Sequence, residues 1–270
     1  MTSHYLTFRG HRFHYRVIGQ GPGITACFHG FGEYARTFEG LANAWPGHTL
    51  VALDMPFHGE TEWEEGKPFS VSDLQEVMGM IPETASGKIG LLGYSMGGRI
   101  ALSLLEAMPE RVGHIVLLAP DGLKVNPWYR MATRTVAGNR LFHYTMDRPS
   151  WFLAVVRIGA RLGMVNTSVE KYVSRHIDDP GKRRDLYRIW TTLSGFHPSL
   201  EKVGERIRRF GIPVRMVFGR FDRIIPPALG HQLQRRTGDL SATTVLECGH
   251  QVMHERNIEA LAQVFRSIAT

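Results

Sequence analysis

The segment Ile89-Gly90-Leu91-Leu92-Gly93-Tyr94-Ser95-Met96-Gly97 constrains the fold of this chain more than any other. An apolar run of strand length ends in a glycine, a serine stands two residues on, and a second glycine follows two residues after that. Arg99 to Leu105 then continues with helical spacing. In that setting G-x-S-x-G predicts a sharp strand-to-helix turn, in which backbone crowds the positions two before and two after the serine and only glycine fits. Such a turn lifts the hydroxyl clear of the end of the sheet. The helix behind it aims its free amides and positive end at any anion that forms there. Five letters recur by chance in about one unrelated chain of this length in ten, so the reading depends on what surrounds them.

The surrounding pattern is an alternation. His4 to Phe8 and Phe13 to Val17 read as an antiparallel hairpin around Arg9-Gly10, at a sheet edge. Short apolar runs follow at Ile24 to Phe28, Leu50 to Asp54, Ile89 to Gly93, His114 to Ala119, Val214 to Phe218 and Thr243 to Glu247. Helical patterns lie between or after them at Ala35 to Ala44, Val71 to Ile81, Gly98 to Ala107, Pro227 to Arg236 and Glu255 to Ile268. Strands alternating with helices predict βαβ units and a largely parallel sheet.

From Leu123 to Arg209 the alternation stops. Aromatic and basic helical stretches, Trp151 to Met164 and Val169 to Thr192 among them, replace it with no strand pattern. This third of the chain holds 17 Lys or Arg against 7 Asp or Glu, leaving 15 against 18 elsewhere, so the net charge of +7 comes from one place. The expected organisation is a core domain over 1–122 and 210–270 with a helical cap inserted over 123–209. No nucleic-acid motif accompanies the charge, so nucleic acid is not an expected partner. The N-terminus carries His4, Arg9, Arg12 and Arg16 without a signal-peptide core, and no apolar run has the length of a membrane span. The expected location is cytoplasmic. Cys27 and Cys248 are too few for a disulfide framework and read as reduced thiols.

Further motifs fall at the ends of the predicted strands. His29-Gly30-Phe31-Gly32 follows the third, Asp54-Met55-Pro56-Phe57-His58-Gly59 the next, and the serine turn the one after. Phe218-Gly219-Arg220-Phe221-Asp222 and Cys248-Gly249-His250 close the series. This succession resembles the α/β-hydrolase superfamily over nearly all of the chain outside the insertion. The resemblance implies a mostly parallel twisted sheet with helices on both faces, a nucleophile elbow at Ser95, and Ser95, Asp222 and His250 as nucleophile, acid and base in the family's order. It also implies an oxyanion hole made by the backbone amides of Phe31 and Met96. Phe57 stands where the family's D-x-P-G-H-G segment has glycine.

Each role has a physical reason. A serine hydroxyl is a poor nucleophile at neutral pH, so an imidazole must take its proton and return one to the leaving group. A buried carboxylate holds that imidazole in the right tautomer, and Asp222 or Asp121 is placed to serve. His29, Tyr94, Arg99 and Trp151 are the candidate substrate contacts; His29, like His58, also reads as a structural hydrogen-bonder in its loop, and Arg99 as a residue that opens the helix face. Among the other aromatics of the insertion, Trp128, Tyr129, Phe152 and Trp190 fit either a pocket lining or plain core. Arg157 and Arg161 lie one helical turn apart in an apolar segment, a pattern that fits an acidic lipid surface, an anionic substrate or a solvated face. No cluster of ligating residues has metal spacing, and no metal or cofactor is implied.

The expected activity is that of a serine hydrolase, foremost a carboxylic ester hydrolase working through an acyl-enzyme on a small or medium acyl substrate. Two alternatives stay open within the fold. Tyr94 to Arg99 is similar to the elbow of the menaquinone-pathway SHCHC synthase lyase, where the arginine after the glycine pair helps bind a carboxylated substrate. The carbon–carbon bond hydrolases of aromatic degradation share the triad and a helical cap. A third alternative is a ligand-binding or signalling protein of the same fold with slow turnover. Oligomeric state is not legible in the sequence.

Overall fold

The structure, a computed structural model, describes residues 1–124, 127–163, 177 and 179–268. Its eight strands are β1 (Thr2–Phe8), β2 (His11–Ile18), β3 (Gly23–Phe28), β4 (His48–Leu53), β5 (Ile89–Tyr94), β6 (Val112–Leu118), β7 (Val214–Gly219) and β8 (Ser241–Leu246). They form one sheet in the order β1-β2-β4-β3-β5-β6-β7-β8. The β1–β2 and β2–β4 pairs are antiparallel, and every other pair is parallel. This is the largely parallel sheet that the alternation predicts, in the α/β-hydrolase fold that the resemblance implies. All six residues of β5 are buried, as a near-continuous apolar run requires when helices cover both faces of a parallel sheet. By contrast β1 alternates, with one face wet, as an edge strand can.

The chain leaves β3 for β4 on one side and returns to β5 on the other. That reversal opens a crevice beyond the carboxyl ends of β3 and β5, the place where open α/β sheets bind ligands.

Two compact units are distinguished. The first comprises Met1–Trp63, Ser70–Lys124 and Phe196–Thr270, the second Glu64–Phe69 and Val125–Gly195. In the first, helix Val71–Met80 opens with a reciprocal capping box between Ser70 and Asp73. Helix Leu200–Phe210 starts at a Ser199 cap, stops at Gly211 in the left-handed conformation, and belongs to this unit although the basic composition of the insertion runs through it. Its anchor is remote: the Ser199 amide donates to Glu106 Oε2 at 2.7 Å. The helical pattern over Ala35 to Ala44 is a 3-10 stretch, Ala35–Leu41, which starts from Tyr34 with no side-chain cap.

Among the described residues, the regular secondary structure of the second unit is helical: Pro127–Arg134, Val136–Asp147, Ser150–Arg161 and Pro180–Thr192. Ala132, Phe142, Met146, Leu153 and Ile177 form its own core, with Phe152, Leu186, Tyr187 and Trp190 packed against it. Of the expected helix Val169 to Thr192, the part before Pro180 lies outside the described residues except for Ile177 and Asp179. Among the described residues, no helix is long and apolar enough to cross a membrane.

One buried carboxylate organises the loops at the edge of the crevice. Asp54 Oδ1 accepts from the Ala35 amide at 2.6 Å, and Oδ2 accepts from the Glu60 amide at 2.9 Å and pairs with His14 Nδ1 at 2.7 Å. Asp54→Ala would orphan all three donors in a buried site. The expected result is a loss of about 3 kcal/mol or more in urea unfolding with the m-value unchanged, and a loss under about 1 kcal/mol would show that these loops are held by something else.

Candidate active site

Ser95 sits at φ 50°, ψ −117°, a conformation rarely adopted by residues with a side chain. The surroundings enforce it. A Cβ on Gly97 would overlap the Phe28 carbonyl, and one on Gly93 would meet the Gly97 carbonyl, so β5, the turn and helix Met96–Ala107 can approach only without those side chains. The backbone of Ser95 is also fixed on both sides. Its amide donates to Leu118 at 2.9 Å, and its carbonyl accepts from Gly98 and Asp121, each at 2.8 Å.

Two strand ends away, the loops after β7 and β8 are joined by backbone bonds. The Arg220 and Cys248 amides both donate to the Leu246 carbonyl at 2.8 Å, and the Phe221 amide donates to Cys248 at 2.9 Å. This juxtaposition brings Asp222 to His250. His250 Nδ1 lies 2.7 Å from Asp222 Oδ2, and His250 Nε2 lies 2.9 Å from Ser95 Oγ. The Asp222 carboxylate has no exposed side-chain surface, and its other oxygen accepts from the Ile224 and Ile225 amides at 2.8 and 2.9 Å. Two amides occupy Oδ1, and Oδ2 is left to accept from the imidazole. Nδ1 then carries the ring proton, and Nε2 is left to accept from the serine. Such an array can draw a proton from Ser95 and hold the resulting imidazolium.

Tyr94 supports the imidazole from behind. Its ring stacks on that of His250, with centroids 5.7 Å apart and planes at 30°, and its hydroxyl reaches the His250 carbonyl at 3.5 Å. Burial holds the phenol well above its ordinary pKa, so it stays neutral. Asp121, the other candidate acid, faces elsewhere: its Oδ2 lies 3.7 Å from Arg99 Nη1, and Oδ1 accepts from the Gly122 amide at 2.7 Å. Arg99, expected as a substrate contact, is thus buried with a carboxylate of its own chain beside it. Trp151, also expected as a contact, lies in the second unit, where its ring meets Phe152 edge-on. Of the other aromatics there, Tyr129 and Trp190 pack with centroids 4.9 Å apart, and the Tyr129 hydroxyl donates to the Leu193 carbonyl at 3.3 Å.

Of the two roles expected for His29, the hydrogen bonds fit the structural one. The ring is fully buried, Nε2 accepts from the Met55 amide at 3.0 Å, and Nδ1 lies 2.8 Å from the Gly30 carbonyl. Met55 N–H can only donate, so Nδ1 bears the proton and both nitrogens are used in tying the loop after β3 to the loop after β4. That loop passes beside the serine: a Cβ on Gly30 would stand 3.3 Å from Ser95 Cβ. Phe28 and Gly93 are register partners, so the Phe31 and Met96 amides follow from adjacent strand ends.

Burial lowers the His29 pKa from 6.5 to about 4. Between these values the unfolded chain takes up a proton that the folded chain refuses, so the neutral ring's contribution is complete above the unfolded pKa and is lost as pH falls toward the folded one. By about pH 4.5 this amounts to about 2 kcal/mol. Urea titrations at neutral and acid pH should therefore show a flatter acid limb for His29→Gln than for wild type, and parallel limbs would remove His29 as the cause.

A second serine–histidine–aspartate array lies outside the motifs of the sequence. Ser3 Oγ lies 2.5 Å from His14 Nε2, whose Nδ1 meets Asp54. It occupies the β1–β2 edge, with Ser3 in a regular strand and Asp54 committed to loop amides. Its only signal was the alternation that puts Ser3 and His14 on one face of the hairpin. Cys27 and Cys248 are buried free thiols, both held above the ordinary thiol pKa by burial. Among the described residues no group of His, Cys, Asp and Glu could hold a metal ion.

This chain belongs to the alpha/beta hydrolase family, whose model matches residues 27–264. A 2-hydroxy-6-oxononadienedioate/2-hydroxy-6-oxononatrienedioate hydrolase from Burkholderia vietnamiensis is 25% identical over 240 residues, covering 88% of this chain and 80% of that protein. A putative 2-succinyl-6-hydroxy-2,4-cyclohexadiene-1-carboxylate synthase from Bacillus subtilis is 37% identical over 111 residues, 38% of this chain and 39% of the other. Among solved structures, a thermophilic esterase from Thermogutta terrifontis superimposes with a TM-score of 0.69 over the full length of both chains at 17% identity.

Proposed function

We propose that this member of the alpha/beta hydrolase family is a serine hydrolase that cleaves a carboxylic ester through an acyl-enzyme. The observation that carries the reading is the unbroken hydrogen-bonded line from Ser95 Oγ through His250 to Asp222. In this mechanism Ser95 Oγ attacks the ester carbonyl while His250 Nε2 takes its proton. The Phe31 and Met96 amides receive the oxyanion, and losing one such donor costs on the order of 3 kcal/mol of barrier. The imidazolium then protonates the departing alkoxide, leaving Ser95 acylated. Water, deprotonated by the same nitrogen, releases the acid and restores the serine. Asp222 stays ionised throughout and stabilises the imidazolium; Tyr94 and His29 act as positioning residues for His250 and the oxyanion loop.

Arg99 supports the ester reading over a carboxylate-gripping lyase, because its guanidinium already has Asp121 beside it. A second reading, hydrolysis of a carbon–carbon bond in a carboxylated dienoate, draws on the relative from Burkholderia vietnamiensis. A fluorophosphonate probe, a panel of p-nitrophenyl esters and a 2-hydroxy-6-oxo-dienoate separate the possibilities. The ester reading expects labelling at Ser95 and ester turnover that disappears in Ser95→Ala. Turnover of the dienoate far above every ester would replace it with the second reading, and tight small-ligand binding without turnover would make the protein a binder.

A further inference from the structure

An exposed face of the second unit is apolar where a solvated helix would be polar. Eight of the sixteen large hydrophobic residues exposed in the described chain fall between Trp128 and Leu162. Helix Ser150–Arg161 shows the pattern most sharply. Leu153, Val156 and Gly159 turn inward, and Leu153 joins the unit's core. Trp151, Val155, Ile158 and Leu162 recur at i, i+4, i+7 and i+11, one stripe on the other side. Val155 is 58% exposed, Ile158 54% and Leu162 66%. Arg157 and Arg161, both exposed, run along one flank of that stripe.

The segment that carries the stripe is basic. Residues 127–163 contain six arginines, at 130, 134, 140, 148, 157 and 161, and a single acid, Asp147, which pairs with His143 at 3.2 Å. Among the described residues none of the six arginines pairs with a carboxylate, and all are exposed. Tyr144 is exposed too, with the Arg148 guanidinium 5.9 Å above its ring. An apolar stripe that begins at a tryptophan, with exposed arginines along its flank, has the composition of a helix lying in the interface of a bilayer.

We infer that helix Ser150–Arg161, together with Leu162, docks on an acidic lipid surface, the apolar stripe entering the headgroup boundary and Arg157 and Arg161 contacting anionic headgroups. A second copy of the chain fits less well, since a self-complementary contact would set the arginines of one copy against those of the other. This inference stands apart from the chemistry proposed for Ser95.

Flotation of the full-length protein with vesicles tests it. Binding is expected to phosphatidylcholine vesicles containing phosphatidylglycerol, weakly to phosphatidylcholine alone, with release at high salt. Val155→Ser with Ile158→Ser should weaken binding by about tenfold per residue. Arg157→Gln with Arg161→Gln should weaken it by about thirtyfold and remove most of the salt effect. All four side chains point outward, so the variants should melt like wild type. Bromine-labelled acyl chains give an independent reading: they should quench emission in wild type and much less in Trp151→Phe. Equal binding to neutral and acidic vesicles, undiminished binding by the Val155/Ile158 variant, or concentration-dependent self-association without vesicle binding would each overturn the inference.

Discussion

Ser95→Ala is expected to lower kcat on a p-nitrophenyl ester by about a millionfold while the thermal midpoint stays close to wild type. Ser95→Gly should be equally inactive but more stable by about 1 kcal/mol. The catalytic part follows from geometry, since the only atom removed in the alanine variant is the hydroxyl that lies 2.9 Å from His250 Nε2. The stability part follows from the backbone. At φ 50° and ψ −117°, any residue with a Cβ is strained, alanine as much as serine, whereas glycine adopts this conformation freely. Relief of that strain exceeds the extra entropy that glycine gives the unfolded chain. A glycine variant less stable than the alanine variant would show that the turn is relaxed. An alanine variant that kept even about a thousandth of wild-type kcat would show that the hydroxyl is not the nucleophile.

The same turn marks how far the sequence can be read. Its two glycines, and the apolar runs that became β3 to β8, were legible because they are local: crowding and burial act on residues a few positions apart. The helical pattern over Ala35 to Ala44 is a 3-10 stretch, Ala35–Leu41, because apolar spacing says nothing of the missing cap at Tyr34. Helix Leu200–Phe210 was assigned with the insertion because Lys202, Arg206, Arg208 and Arg209 continue its composition. What places the helix in the core unit is its packing against helices Met96–Ala107 and Gly230–Thr237, with Val203 and Ile207 buried, and a bond from Ser199 to Glu106, 93 residues earlier. The site divides the same way. Chain order pointed to Ser95, Asp222 and His250, but left Asp121 open, and nothing in the sequence places the Tyr94 ring on His250 or the Ile224 and Ile225 amides on Asp222. In the sequence His29 reads either as a substrate contact or as a structural hydrogen-bonder in its loop. Only its two backbone partners, one of them 26 residues away, reveal it as a clamp between loops.

Asp222→Asn is expected to reduce kcat by about ten-thousandfold with little change in KM, against less than about tenfold for Asp121→Asn. The asparagine oxygen can still accept from the Ile224 and Ile225 amides, so the side chain keeps its place. Its nitrogen then turns toward His250 Nδ1, and two donors cannot share that 2.7 Å contact. The imidazole answers by adopting the other tautomer, with Nδ1 accepting and Nε2 protonated. A protonated Nε2 has no lone pair for the Ser95 hydroxyl, so fluorophosphonate labelling should slow in step with ester turnover. At Asp121 the same substitution leaves the oxygen that accepts from Gly122 and alters only the charge beside Arg99. His250 keeps its tautomer and the serine its base. If Asp121→Asn proved the crippled variant, the acid would have to reach His250 from the end of β6, which the amides holding Asp222 against the ring would oppose. The size of the difference between the two variants therefore measures how much of the rate depends on a single proton being held at Nδ1.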